Sequence, residues 1–161
     1  QIQVIGNAAV RFLRSVYGLK EDDIEITVLR RKDGGSWSYL YQFQDWSHGS
    51  PEWLLDRNSA ANQCSASGES AFFADKIAAA KRGKYVLSDR DKRRGLGSVY
   101  IYPVRFTTPS FTMNFVISIV TYRIPFCPDV DDVSSEITVS FLREICRRFE
   151  IELCLDTIKS V

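Results

Sequence analysis

The most constraining feature of the sequence is a long apolar stretch from Thr112 to Ile124. In its middle, the run from Phe115 to Val120 is interrupted only by Ser118. A strand that is buried on both faces has such a nearly continuous apolar sequence, whereas a strand with one exposed face alternates between apolar and polar residues. The stretch therefore predicts the central strand of a sheet that is covered on both sides.

A β-hairpin is predicted in the N-terminal part of the chain. The residues from Ile24 to Leu29 alternate with a period of two, and the following sequence Asp33-Gly34-Gly35 is typical of a turn. The returning strand has an aromatic residue at every second position, which predicts an aromatic row on one face. The aromatic residues are Trp37, Tyr39, Tyr41 and Phe43.

Three helices are predicted from the spacing of apolar residues. The first ends at Gly18, a residue typical of a C-terminal cap, and the second spans Glu69–Arg82. The third follows the acidic segment Asp129–Asp132 and extends to about Ile158. Steps of three and four residues define one apolar face on the first and third helices. These positions are Ile5, Ala9, Phe12 and Val16 in the first helix and Ile137, Phe141, Ile145 and Phe149 in the third.

The segment between the second and third helices predicts further strands. Tyr85–Leu87 is predicted as a short strand, Ser88–Gly97 as a charged loop and Ser98–Phe106 as a longer strand. Residues 46–70 are polar and are predicted as a long connection with a short helix near Trp53. Because hairpins require antiparallel pairing, the order of elements predicts an α+β fold with helices against one antiparallel sheet.

Composition excludes several classes of function. The chain has 161 residues, a length suited to one domain, and 45% of its residues are hydrophobic. Its net charge of +1 gives no argument for binding nucleic acid or an anionic membrane surface. The longest apolar stretch is also far shorter than the run of about 20 apolar residues that a membrane-spanning helix needs. Neither nucleic acid nor a membrane is therefore expected as a partner of this segment.

The cysteines and the single histidine argue against a metal site. Cys64, Cys127, Cys146 and Cys154 show no C-x-x-C spacing, and His48 has no cysteine near it. Four cysteines are also few for a secreted disulfide scaffold, so reduced thiols and a cytoplasmic location are expected. Because the chain begins at Gln1 inside a helical pattern, we expect it to be a piece excised from a longer protein.

Two segments and one short motif resemble a GAF domain, a small ligand-sensing and dimerising module of regulatory proteins. The segments are Gly83–Asp89 and Gly95–Val104, which resemble the family's strand ending in Asp, its loop and its Ser-then-Pro strand. Phe126 followed by Asp129 resembles the family's approach to its last helix. The resemblance covers most of the chain and identifies residues 1–161 as one GAF-like domain of a longer regulatory protein.

The resemblance implies a fold and a function in signal transduction. The fold would be a central antiparallel sheet with the N- and C-terminal helices on one face and loops or short helices covering a ligand pocket on the other. The function would be non-catalytic sensing of a small molecule, with relay through the terminal helices to an attached effector domain and with homodimerisation through the same helices. The protein would be cytoplasmic or the soluble part of a membrane-anchored protein.

The resemblance also has departures that bear on the ligand. Cyclic-nucleotide-binding members often have Asn-Lys at the end of the long strand, where this chain has Thr121-Tyr122. Bilin-binding members attach their chromophore through a cysteine that usually precedes a histidine, whereas His48 follows Ser47. No certain cofactor is implied, and the candidates are a cyclic nucleotide or another small anionic ligand.

The candidate ligand-binding residues fall into three chemical groups. Basic residues between positions 76 and 94 would hold phosphate through charge-assisted hydrogen bonds, although a solvated loop explains the same charges. Aromatic residues would wall a pocket for a flat ring, although core packing is the alternative. Two hydroxyl residues at the sheet would add hydrogen bonds. The three groups are Lys76, Arg90, Arg93 and Arg94; Trp46, Trp53, Phe72, Phe73, Tyr100 and Tyr102; and Ser98 and Thr121.

Two other functions stay open at this stage. A degenerate GAF fold without a ligand would serve only for dimerisation or protein docking. One branch of the GAF family reduces free methionine sulfoxide with loop cysteines, and Cys64 and Cys127 would be the corresponding pair. No catalytic residue is assigned, because a reactive thiolate needs exposure and a lowered pKa that the sequence does not reveal.

Overall fold

The computed structural model of the chain describes residues 1–33, 35–43, 59–127 and 132–160. Within these residues it has five α-helices and five β-strands, which confirms the predicted α+β class. A short 3₁₀ turn precedes the first strand. In chain order the elements are α1 (Ile2–Tyr17), the 3₁₀ turn (Glu21–Asp23), β1 (Ile24–Lys32), β2 (Ser38–Gln42), α2 (Ala60–Ser67), β3 (Ala71–Phe73), α3 (Lys76–Lys81), α4 (Asp89–Arg94), β4 (Val99–Thr107), β5 (Thr112–Thr121) and α5 (Asp132–Lys159).

The strands form one antiparallel sheet in the order β2-β1-β5-β4-β3. The apolar stretch is the central strand β5, as predicted, and it pairs with β1 on one side and β4 on the other. This strand ends at Thr121 rather than at Ile124, because Arg123 has a left-handed φ of 66° that breaks the extended backbone.

Helices cover both faces of the sheet, which explains why β5 is apolar on both sides. On one face, α1 and α5 pack side by side, and Leu13, Leu142 and Phe149 are fully buried there. On the other face, α2 packs Ala61 and Cys64 against the sheet. The two faces are called below the terminal-helix face and the α2 face. Residues of β1, β4 and β5 alternate between them.

A β-bulge in β2 corrects the prediction of one aromatic row. Val28 pairs with Tyr41 but Leu29 pairs with Tyr39, so Leu40 is an extra residue in β2. The extra residue reverses the alternation, and Tyr41 packs on the terminal-helix face while Tyr39 packs on the α2 face together with Trp37. The prediction was wrong because a regular alternation does not reveal a bulge.

Three predicted elements between residues 69 and 97 differ from the structure. The predicted helix Glu69–Arg82 is divided into β3, which pairs with β4, and the shorter α3, whose N-cap is Asp75. Tyr85–Leu87 is not a strand. The predicted charged loop contains α4, where Ser88 and Asp91 each bond to the other's backbone N–H as a capping box.

The strand ends of β4 and β5 form a close junction with α3. The Ser98 N–H donates to Thr121 Oγ1 at 2.9 Å, and the Ser98 hydroxyl donates to the Ala74 carbonyl oxygen at 2.6 Å. The N–H of Lys76 donates to the carbonyl oxygen of Gly97 at 3.0 Å. These bonds fix α3 at the end of the sheet.

No helix among residues 1–33, 35–43, 59–127 and 132–160 has the length and apolar character needed to span a membrane.

Candidate functional site

A cavity of about 490 Å³ lies on the α2 face of the sheet, between the strands, the start of α2 and α4. Its floor consists of side chains from β1, β4 and β5, and its walls come from Tyr39, Tyr85 and residues of α4. A volume of this size is typical of sites for small molecules. The cavity is the candidate functional site.

The floor of the cavity is mainly apolar, with a small polar region in its middle. Leu29, Val99, Ile101 and Val120 supply the apolar surface. The polar region consists of the hydroxyls of Thr27 and Ser118, which are half-buried and are called below the floor hydroxyls. Apolar surface with a few placed polar groups is the usual composition of a ligand pocket.

One end of the cavity is formed by a buried carboxylate with two hydrogen-bond donors. Glu25 Oε2 accepts from the Tyr122 hydroxyl at 2.6 Å and from an Arg90 guanidinium nitrogen at 2.7 Å. Burial raises the pKa of Tyr122 well above its usual value, and the negative charge of Glu25 adds to the effect. The phenol therefore stays protonated and continues to donate to the carboxylate.

A second buried ion pair joins Asp91 in the cavity wall to Lys76 behind it. Lys76 is fully buried, its Nζ lies 2.8 Å from Asp91 Oδ1, and it donates to the Thr121 carbonyl oxygen at 2.7 Å. The Nζ also lies 4.0 Å from the centre of the Tyr122 ring, within reach of a cation–π interaction. Burial lowers the pKa of Lys76, and the adjacent charge of Asp91 opposes this shift.

These pairs hold α4 against the rest of the molecule. Arg90 bonds to β1, Asp91 to α3, and the Arg94 guanidinium donates to the carbonyl oxygen of Asp22. Residues on α4 therefore have a fixed position relative to the floor of the cavity. A ligand that occupies the cavity contacts a wall that is tied to β1 and α3.

The predicted basic residues have different positions relative to the cavity. Arg90 and Arg93 line it, whereas Lys76 and Arg94 lie behind its wall. The positive charges of Arg90 and Lys76 are paired with Glu25 and Asp91. Arg93 is exposed at the rim and makes no ion pair within the described part of the chain. Trp46 and Trp53 lie outside the described residues.

Most of the other predicted site residues do not reach the cavity. Tyr100, Tyr102 and Phe72 pack on the terminal-helix face, where the Tyr102 hydroxyl donates to Glu150 at 2.8 Å. Phe73 lies on the α2 face, 6.1 Å from the ring of Tyr85, and packs behind the cavity wall. The side chains of Ser98 and Thr121 are fully buried in the junction of β4, β5 and α3.

The prediction missed the residues that build the cavity floor and its charged end. Glu25, Thr27 and Leu29 alternate with the apolar residues that β1 buries on the opposite face. The alternation of β1 places the polar side chains of Glu25 and Thr27 on the same face of the strand, and this part of the pattern was visible in the sequence. The position of Tyr39 on the α2 face depends on the bulge, which the sequence does not reveal. Tyr122 follows directly after the end of the apolar strand.

The structure does not bring the two candidate redox cysteines together. Cys64 packs on the α2 face, and burial raises its pKa to about 11. Cys127 packs on the terminal-helix face, where its thiol contacts Thr138 Oγ1 at 3.1 Å. All four cysteines are free, and the described ranges contain no cluster of histidine, cysteine or carboxylate side chains suited to a metal ion.

Comparisons of the chain with protein-family models, with curated proteins and with solved structures find no match. Function therefore has to follow from the geometry and chemistry of the cavity, because a fold by itself does not specify an activity.

Proposed function

We propose that the chain is a non-catalytic, GAF-like sensor domain that binds a small molecule in the cavity on the α2 face. The observation that carries the proposal is a cavity of about 490 Å³ that combines an apolar floor with polar groups directed into it. A fold used only for docking would gain stability by filling such a space with large side chains. The position of the cavity between the sheet and its shorter covering helices agrees with what the resemblance to GAF domains implies.

The ligand that we propose is anionic or nucleotide-like. The rings of Tyr39 and Tyr85 offer a wall against which a flat group packs. At the rim, Arg93 offers an exposed guanidinium that suits a phosphate or carboxylate. Arg90 is already bound to Glu25, so Arg93 is the residue on which the anion preference depends.

Reversing the charge at Arg93 tests this ligand class. We expect thermal-shift screening against nucleotides, cyclic oligonucleotides, amino acids and bilins to identify a ligand, because binding to the folded state raises the melting temperature. For a phosphate-bearing ligand, Arg93→Glu is expected to weaken binding about 10-fold, since a charge-assisted hydrogen bond is lost. The affinity is measured by isothermal titration calorimetry.

The matched control for this experiment is Lys92→Glu, on the same helix. Lys92 is exposed like Arg93 but does not line the cavity, so the same change in net charge is expected to alter affinity less than about twofold. Equal losses in both variants would show only a long-range charge effect and would contradict the role of Arg93. The absence of a thermal shift with every class of compound would contradict the sensor function and favour a docking module.

We further propose that the terminal helices relay the signal and form a homodimer. The outer side of α5, opposite its buried face, carries exposed apolar residues near each end, with the exposed ion pair of Glu144 and Arg147 between them, and 66% of the surface of Ile137 is exposed. On α1, Phe12 is 51% exposed beside Phe141, with ring centres 5.4 Å apart. Exposed apolar patches of this kind are typical of interfaces. The exposed apolar residues of α5 are Val133 and Ile137 near its start and Ile151, Leu155 and Ile158 near its end.

Changing Ile137 to glutamate is expected to weaken this dimer at least about 10-fold, because a charge would have to be buried in the interface. Analytical ultracentrifugation over a range of concentrations measures the dissociation constant. Ala66→Glu is the control, since Ala66 is exposed on α2, on the opposite face of the sheet, and the change adds the same type of side chain away from the terminal helices. A wild-type chain that stays monomeric at all concentrations would contradict the dimer.

A further inference from the structure

The floor hydroxyls of the cavity are placed as a pair. Thr27 on β1 and Ser118 on β5 are direct partners in the antiparallel register. Side chains of such partners project from the same face, with their Cβ atoms about 4.5–5.5 Å apart. Both belong to the cavity lining, so the two hydroxyls stand next to each other in the floor.

The surroundings of this pair are apolar, and the pair has no structural task that is visible in the fold. Ile101 is the partner of Ser118 on its other side, and Leu29 and Val120 are the next residues of β1 and β5 on the same face. Within the described part of the chain, no hydrogen bond of the Thr27 or Ser118 side chain is found. Both residues are half-buried and line the cavity, so their hydroxyls are open to water or to a ligand.

We infer that the floor hydroxyls recognise a neutral amide-like edge of the ligand, that is, adjacent N–H and C=O groups on a planar ring. The inference rests on the proposed function and specifies which part of the ligand enters most deeply. A hydroxyl both donates and accepts, so a pair of hydroxyls can satisfy one donor and one acceptor at once. The apolar residues around the pair match the two faces of a flat ring.

The charges near the cavity explain why we infer a neutral edge for the part of the ligand that contacts the floor hydroxyls. The carboxylate of Glu25 is the closest charged group along β1, and it already accepts bonds from Tyr122 and Arg90. A charged group at the floor hydroxyls would be removed from water without an opposite charge to compensate it. The anionic part of the ligand is therefore directed to Arg93 at the rim, and the amide-like edge is directed to the floor.

Two probes of the same size separate recognition of this edge from simple filling of the cavity. Isoquinolin-1-one is a planar bicyclic lactam, and naphthalene is its apolar counterpart. Binding is measured by titration of the ¹⁵N-labelled chain, with the amide signals of residues 27 and 118 as local reporters. The variant is Thr27→Val/Ser118→Ala, which removes both hydroxyls and keeps the shape of the floor.

The double variant is expected to fold, because replacing polar groups that lack partners by apolar groups costs little stability. It is expected to bind the lactam about 10-fold more weakly and naphthalene equally well or better, as expected for the loss of one or two hydrogen bonds. Thr107→Val, at the far end of β4 and outside the cavity lining, is expected to change neither affinity.

The other possible outcomes contradict either the role of the floor hydroxyls or the proposed function of the cavity. If both probes bind the wild-type chain and the double variant alike, the cavity is a binding site but the floor hydroxyls do not select the ligand. The same conclusion follows if the lactam binds without shifting the signals of residues 27 and 118. If neither probe binds the wild-type chain, the cavity takes no planar ligand and the proposed function fails together with the inference.

Discussion

Replacing Lys76 by methionine is expected to lower the free energy of unfolding by about 3–5 kcal/mol, the range found when one partner of a buried ion pair is removed. Lys76 is fully buried, and its Nζ contacts Asp91 and the Thr121 carbonyl oxygen. Methionine has a similar length, so packing changes little, but the carboxylate of Asp91 loses its cation and the carbonyl loses a donor. Urea unfolding followed by circular dichroism measures the loss.

Two further variants identify the cause of this loss. Lys81→Met alters an exposed lysine at the other end of α3 and is expected to change stability by no more than about 0.5 kcal/mol. Adding Asp91→Asn to Lys76→Met is expected to restore part of the stability, because a neutral amide costs less to bury than a carboxylate. If Lys76→Met costs no more than Lys81→Met, the ion pair does not contribute to stability.

Replacing Gly97 by alanine is expected to cost about 3 kcal/mol or more. Gly97 has a φ of 155°, a conformation that residues with a side chain rarely adopt. A Cβ atom at this position would overlap with the carbonyl oxygen of Thr121 and lie 3.2 Å from Lys76 Cε. Backbone atoms cannot move aside as a flexible side chain can, so the junction of β4, β5 and α3 would have to open.

Gly68→Ala is the matched control for this variant. Gly68 also has a positive φ, of 75°, in the left-handed region, but a Cβ there has no atom within 4 Å. We expect its cost to be only about 1 kcal/mol, from backbone strain alone. The difference in melting temperature between the two variants isolates the collision at Gly97. Equal melting temperatures would show that the close approach to Thr121 is unimportant.

Elements whose sequence alone carries a strong pattern were predicted well. The central position of β5 followed from its continuous apolar run, and α1 and α5 followed from their apolar spacing. β3 was missed because three residues are too few for a pattern, and the strand exists through pairing with β4. α4 was missed because its charged sequence was interpreted as a loop. The three-residue spacing of Ser88 and Asp91, which is typical of a capping box, was visible in the sequence.

The candidate site was predicted only in part, because its contacts join residues that are far apart in the chain. Arg90, one of the predicted ligand-binding residues, lines the cavity, but its partner Glu25 is 65 residues away in the chain. Tyr122 and Glu25 are separated by 97 residues. Tyr100 and Tyr102 were assigned without knowing which face of β4 they occupy, and a shift of one residue exchanges the faces.

The bulge at Leu40 has a consequence for the behaviour of the chain at high concentration. The two outer strands of an open sheet expose unpaired backbone groups, which makes them templates for pairing with other molecules. Among the residues that the structure describes, β3 is only three residues long and β2 is interrupted by the bulge, so neither of these outer strands offers a long, regular ladder. The irregularity that divides the aromatic residues between two faces thus also protects the sheet against edge-to-edge aggregation.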